Sequence, residues 1–87
     1  MIRLTLYSRV GCHLCLEMRT VVEAVARQVR LTRRVELEEV DVDTDAALAA
    51  AYGAEVPVLC VNGRKAFKYR LDAPALRARL AREPSEG

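Results

Sequence analysis

No run of apolar residues in this 87-residue chain approaches the roughly 20 that a membrane-spanning helix needs. No long apolar segment with a small-residue cleavage site opens it either, since Arg3 and Arg9 interrupt the first residues; a cytoplasmic location is expected. No sign of charge dominates. Fourteen Lys and Arg stand interspersed with 12 Asp and Glu, a net charge of +2, without the clustered basic face of a nucleic-acid surface. Neither nucleic acid nor membrane is an expected partner. Low-complexity tracts, internal repeats and long linkers are also missing, so a single domain over residues 1–82 is expected, with a frayed tail over 83–87. Cysteine is scarce and odd in number, which does not suit a secreted disulfide framework. Histidine occurs once, as His13. The soft metal ligands are therefore Cys12, Cys15, His13 and Cys60. His13 projects from its helix away from Cys15, and Cys60 lies inside a strand, so no tetrahedral metal site is expected within one chain.

What the chain does have is Gly11-Cys12-His13-Leu14-Cys15 at a strand-to-helix turn. The apolar alternation of Ile2, Leu4 and Leu6 predicts a strand over about Arg3–Tyr7. Cys15, Met18, Val22, Val25 and Val29, spaced by three and four, predict a helix from about His13 to Arg30. Unpaired N–H groups and the positive dipole end of that helix favour an anion at Cys12, so its thiol pKa is expected below that of a free cysteine. Cys15, one turn on, shares the face and can reach Cys12. Such a pair can cycle between dithiol and disulfide, with Cys12 as nucleophile and Cys15 resolving the mixed disulfide. His13 is either a second cation lowering that pKa or an exposed, uninvolved side chain.

Arg34 to Val42 alternates and then shifts phase at Glu38-Glu39, predicting a second strand with an irregularity there. Asp43-Thr44-Asp45 offers helix caps for the alanine-rich run that follows. Gly53 is expected to end that helix in a left-handed conformation. Val56 to Val61 reads as a buried central strand with Pro57 at its start. Asn62-Gly63 signals a hairpin into a fourth strand over about Lys65–Arg70. Asp72 caps a last helix that carries Leu76 and Leu80. The order β-α-β-α-β-β-α predicts an α/β fold: a mixed four-stranded sheet with helices on both faces.

Four segments carry a family resemblance: Leu6 to Cys15, Val40-Asp41-Val42-Asp43, Tyr52-Gly53-Ala54-Glu55-Val56-Pro57-Val58-Leu59, and Asn62-Gly63. With their spacing they cover nearly the whole chain, which resembles the glutaredoxin-like branch of the thioredoxin fold, and most closely small bacterial glutaredoxin-like proteins with Cys-His-Leu-Cys. The resemblance implies a cis Val56–Pro57 bond whose Val56 backbone pairs with a substrate. It also implies a basic Arg9 near a glutathione carboxylate, and Arg70 and Asp72 toward the charged ends of glutathione. Two departures stand out. His13-Leu14 replaces the usual Pro-Tyr, and Lys68 to Asp72 lacks the family's glycine pair, with only Asp72 matching. The buried acid of thioredoxins falls at Leu6, so Cys15 needs another proton acceptor, water or Glu17. Cys60 reads as a small buried hydrophobe.

The expected function is thus a thiol–disulfide oxidoreductase with a redox-active Cys12–Cys15 pair. It would act as a monomer on protein or glutathione mixed disulfides, with no bound cofactor, glutathione as co-substrate and a reductase as possible donor. The alternative is an iron–sulfur or metal carrier, with a cluster bridged between two subunits, or a non-catalytic binding module.

Overall fold

The computed structural model describes residues 1–84. Strand β1 (Ile2–Ser8) leads into helix α1 (His13–Val29). Strand β2 (Val35–Asp41) follows, then a 3-10 turn (Val42–Thr44), helix α2 (Ala46–Tyr52), strands β3 (Val58–Val61) and β4 (Arg64–Lys68), and helix α3 (Ala73–Ala81). The strands form one mixed sheet in the order β2-β1-β3-β4. β1 and β2 are parallel, and the other neighbours are antiparallel.

Alternation in β1 sends Ile2, Leu4 and Leu6 to one face, where each is fully buried. Leu59 and Val61 of β3 share that face, and Met18, Val22, Val25 and Ala26 of α1 cover it. Leu76 and Leu80 fix α3 to the same core. Each such side chain larger than alanine, withdrawn from water, stabilises the fold by about 1.5–3 kcal/mol. α1 is rich in β-branched valine, so this burial rather than intrinsic propensity holds it. The opposite face carries Tyr7, Val58 and Cys60. α2 covers it by stacking Tyr52 on Tyr7, ring centroids 4.0 Å apart at 12°.

Four details differ from the sequence reading. β2 runs in unbroken register beside β1, from Ile2 opposite Val35 to Ser8 opposite Asp41, without an irregularity at Glu38-Glu39. The polar phase shift arises because Glu39 takes an α1-facing position and finds polar partners there. The irregularity lies instead in the β3–β4 pair: Leu59 faces Phe67 and Cys60 faces Lys65, leaving Ala66 as the extra residue. Gly53 is right-handed, with φ −55 and ψ −35, not left-handed. It is needed for close approach, because a Cβ there would collide with the Ala49 carbonyl and come 3.0 Å from the Arg9 guanidinium. Both strands of the hairpin are shorter than the pattern implied. β3 starts after Pro57, and β4 ends at Lys68 because Tyr69 turns with φ +68.

The hairpin turn has positive φ at both Asn62 (+50) and Gly63 (+82), the pairing a tight two-residue hairpin requires. Of the expected tail, Glu83 accepts from Arg79 Nη1 at 2.7 Å and the Pro84 carbonyl accepts from Arg33 Nη2 at 2.9 Å. Residues 85–87 lie outside the described residues.

Candidate active site

β1 delivers the chain to the start of α1 through a short loop in which Gly11 takes φ +79 and the Cys12 N–H donates to the Arg9 carbonyl at 3.3 Å. Cys12 is the N-cap of α1, with extended backbone, and its Sγ accepts from the Cys15 N–H at 3.1 Å. Its sulfur therefore does what a serine or aspartate oxygen does at a helix start: it satisfies an orphan N–H at the positive end of the dipole. Cys12 and Cys15 are joined as a disulfide, their Cα atoms 5.2 Å apart. Cys15 is 1 % exposed, whereas Cys12 is half-buried, so only Cys12 presents its sulfur to an incoming partner.

The Val56–Pro57 bond is cis. Continuing the β1–β3 register one step past Tyr7–Val58 sets Pro57 beside Ser8, at the mouth of the redox loop. The Pro57 carbonyl accepts from the Tyr69 N–H at 2.8 Å, so the β4–α3 loop is tied to the same place.

Arg9 is committed internally. Its Nε and Nη2 donate to Asp43 Oδ2 and Oδ1 at 2.8 and 3.0 Å, and its Nη1 donates to the Gly53 carbonyl at 3.2 Å. Asp43 keeps the guanidinium pKa above its ordinary value, and Arg9 holds the Asp43 carboxyl below its own. Arg9 thus laces the redox loop to the segment that leads into Pro57. His13 is exposed, and its nearest acid is Glu17, Nε2 to Oε2 at 3.8 Å. Glu17 is itself exposed on α1, while Cys15 is sealed inside. Asp72 serves as the cap of α3, its Oδ1 accepting from the Ala75 N–H at 2.7 Å. Val56 is half-buried, and Arg70 is exposed on a cleft that Leu14, Tyr69 and Leu71 also line.

Sequence reasoning missed a polar cluster on the other flank. Ser8, 6 % exposed, donates from Oγ to Glu39 Oε2 at 2.7 Å, and Arg19 Nη2 donates to the same oxygen at 2.7 Å. Burial pushes the Glu39 carboxyl up, but the hydrogen bonds from Arg19 and Ser8 outweigh it and leave the group below its ordinary value. Glu39 stands opposite Leu6 in the parallel register, so an acid occupies the neighbouring strand beside the position where Leu6 lacks one. The signal was present in the broken alternation of β2. Cys60 is 3 % exposed on the α2 face, and burial pushes its thiol up. Among the described residues, no three His, Cys, Asp or Glu side chains converge as a metal ligand set. No helix among them is long and apolar enough to cross a membrane.

A two-cysteine helix start facing a cis-proline loop on this sheet invites comparison with known proteins. The family model described as Glutaredoxin-like domain (DUF836) matches residues 3–81. The chain belongs to this glutaredoxin-like family. Solved structures agree. The glutaredoxin-like chain is 41% identical to protein XcR50 from X. campestris, with 93% of this chain and 99% of that one covered at a TM-score of 0.67. Protein Ne2328 from Nitrosomonas europaea is 30% identical, with 90% and 89% covered and a TM-score of 0.72. A point-mutant thioredoxin from Halobacterium salinarum is also 30% identical, with 90% and 70% covered and a TM-score of 0.62. The comparison with curated proteins returns no match. The glutaredoxin-like protein therefore combines a thioredoxin-type fold with a close CxxC pair.

Proposed function

We propose that the protein is a thiol–disulfide oxidoreductase. Cys12, as thiolate, attacks a substrate disulfide. A new S–S bond forms at Cys12, and the distal substrate sulfur leaves as a thiolate. Cys15 then loses its proton and attacks Cys12 Sγ. The intramolecular disulfide forms, and the second substrate sulfur departs reduced. The observation that carries this reading is Cys12 Sγ at the N-cap of α1, accepting the Cys15 N–H at 3.1 Å. The cap favours the anion, and the half-burial of Cys12 beside a buried Cys15 supports attack by the first and resolution by the second. Protein or glutathione mixed disulfides are the substrates, glutathione or a reductase the electron donor, and the cytoplasm the site of action. A reduction potential between about −270 and −200 mV, spanning thioredoxin and glutaredoxins, is expected.

The deciding experiment is Cys12 alkylation rate against pH. The expected thiol pKa lies below the free value of about 8.5. Cys12→Ser should abolish reduction of insulin, and Cys15→Ser should stall as a mixed disulfide. An unshifted pKa with no insulin reduction would overturn the reading.

A further inference from the structure

Basic and acidic residues balance over the whole chain but not along it. Arg27, Arg30, Arg33 and Arg34 follow one another with no acid between Glu23 and Glu36, and Arg77, Arg79 and Arg82 with none between Asp72 and Glu83. The fold brings the two stretches together. α1 and α3 pack on one core, Arg77 Nη1 donates to Gln28 Oε1 at 3.3 Å, and Arg33 donates to the Leu80 and Pro84 carbonyls at 3.0 and 2.9 Å. Seven of the 14 basic residues therefore share the end where α1 and α3 finish.

Pairing sets these seven apart from the rest. Arg3, Arg9, Arg19, Lys65 and Lys68 each pair with a carboxylate. At the α1–α3 end Arg79 does so, with Glu83 at 2.7 Å. Among the described residues, no carboxylate lies within ion-pair distance of Arg27, Arg30, Arg33, Arg34, Arg77 or Arg82. Helix dipoles account for a basic residue in each last turn, Arg27 in α1 and Arg79 in α3. They do not account for Arg34 and Arg77, both exposed, or for the missing acids.

An apolar groove of about 380 Å³ runs among these arginines. Val29, Leu80 and Ala81 line it, together with Arg33 and Arg77. Leu31, in the adjoining loop, is 86 % exposed. An apolar floor with guanidinium groups around it suits a protein partner, since arginine is enriched at such interfaces and its planar fork pairs with carboxylates. Nucleic acid fits less well. No aromatic side chain lines the groove to stack a base, and a phosphate backbone would leave Val29 and Leu31 against water. α1 separates this end from the redox pair: Cys12 and Arg27 stand about 20 Å apart along its axis.

We propose that the α1–α3 end is a docking surface for an acidic protein segment, whose carboxylates pair with Arg27 and Arg77 while an apolar side chain enters the groove beside Leu31. The surface works apart from the thiol chemistry and leaves Cys12 open while the partner is held.

Fluorescence anisotropy on the full chain tests this with three labelled probes: a glutamate peptide bearing leucines, the same peptide with serine in their place, and oligothymidylate of equal charge. The leucine peptide should bind about tenfold more tightly than the serine peptide, as partial burial of a leucine side chain predicts. It should also bind more tightly than oligothymidylate. Arg27→Glu with Arg77→Glu should weaken it about tenfold, and added salt should weaken it further. Arg64→Glu with Arg70→Glu makes the same change in net charge at exposed cations outside the patch, and should leave binding near the wild-type value. Leu31→Ser should shrink the preference for leucine. Equal binding of the leucine and serine peptides by the wild-type chain overturns the proposal, whatever the variants do. Oligothymidylate bound as tightly as the leucine peptide overturns it in favour of a phosphate-binding face. Equal losses in the two double variants also overturn it, by reducing the attraction to net charge.

Discussion

At the scale of single residues, the site is held together by side chains whose donors point inward. Arg9 joins the redox loop to Asp43 and Gly53, so its loss should act through position and not through lost ligand contact. Arg9→Ala and Asp43→Asn should each slow disulfide reduction, on the order of tenfold, since small misplacements of reacting atoms are costly. The double variant should be no slower than either single one, because both remove the same tie. Asp43→Asn giving a lower KM for glutathione would instead mark Arg9 as a ligand set free. Glu55 offers a pH handle. Hydrogen bonds from Lys65 and Lys68 hold its carboxyl down from 4.5 to about 2. A depressed carboxylate contributes stability that is complete above about pH 4.5 and fades as pH falls toward 2. Urea midpoints between pH 5 and pH 2.5 should therefore drop more for the native chain than for Glu55→Gln. Salt should narrow the gap, since all three side chains are partly exposed.

At the scale of elements, what the sequence made legible and what it did not divide along a physical line. Local periodicity and caps carry their own signal: the α1 stripe, the Asp72 cap and the Asn62-Gly63 turn all stand where the pattern puts them. Non-local pairing does not. Glu39 breaks the alternation of β2 because Ser8, 31 residues away, and Arg19 supply its partners, and no window of sequence contains that fact. Gly53 escapes a local reading for the same reason, since the crowding that demands glycine comes partly from Arg9. The CxxC and the cap were legible in the residues, and the cis proline only through the family resemblance; the Arg70 cleft was not, because its walls meet only in three dimensions. α3 gives an element-scale test. Leu76→Ala should cost about 2–5 kcal/mol in urea unfolding, because Leu76 is fully buried where α3 meets the core. Asp72→Ala, which removes a cap bond of 2.7 Å, should cost about 1 kcal/mol. A larger penalty at the cap than at the core would mean that α3 is held by its start, not by its buried face.

At the scale of the whole molecule, the two edges of the sheet differ in sign. β2 carries Glu36, Glu38, Glu39 and Asp41, whereas β4 carries Arg64, Lys65 and Lys68. Charges of this kind guard exposed edges against pairing with other chains. The site lies at one end of the sheet, where the C-terminal end of β1 meets the start of β3.

Because Cys12 both caps α1 and is the proposed attacking sulfur, heat and electrons become linked. In the reduced protein, a thiol whose folded pKa is depressed adds stability above its unfolded value of about 8.5, and that gain is withdrawn as pH falls through the folded value. The oxidised protein has no thiol at Cys12 to titrate, so its melting temperature should lack this component. Melting scans of the two redox forms should then diverge as the medium turns alkaline, the reduced form climbing relative to the oxidised by about 1.4 kcal/mol for each unit of depression. Parallel curves would deny the sulfur any privileged place at the helix start. A calorimeter would thus read from the unfolding transition the same acidity that an alkylating reagent reads from chemistry.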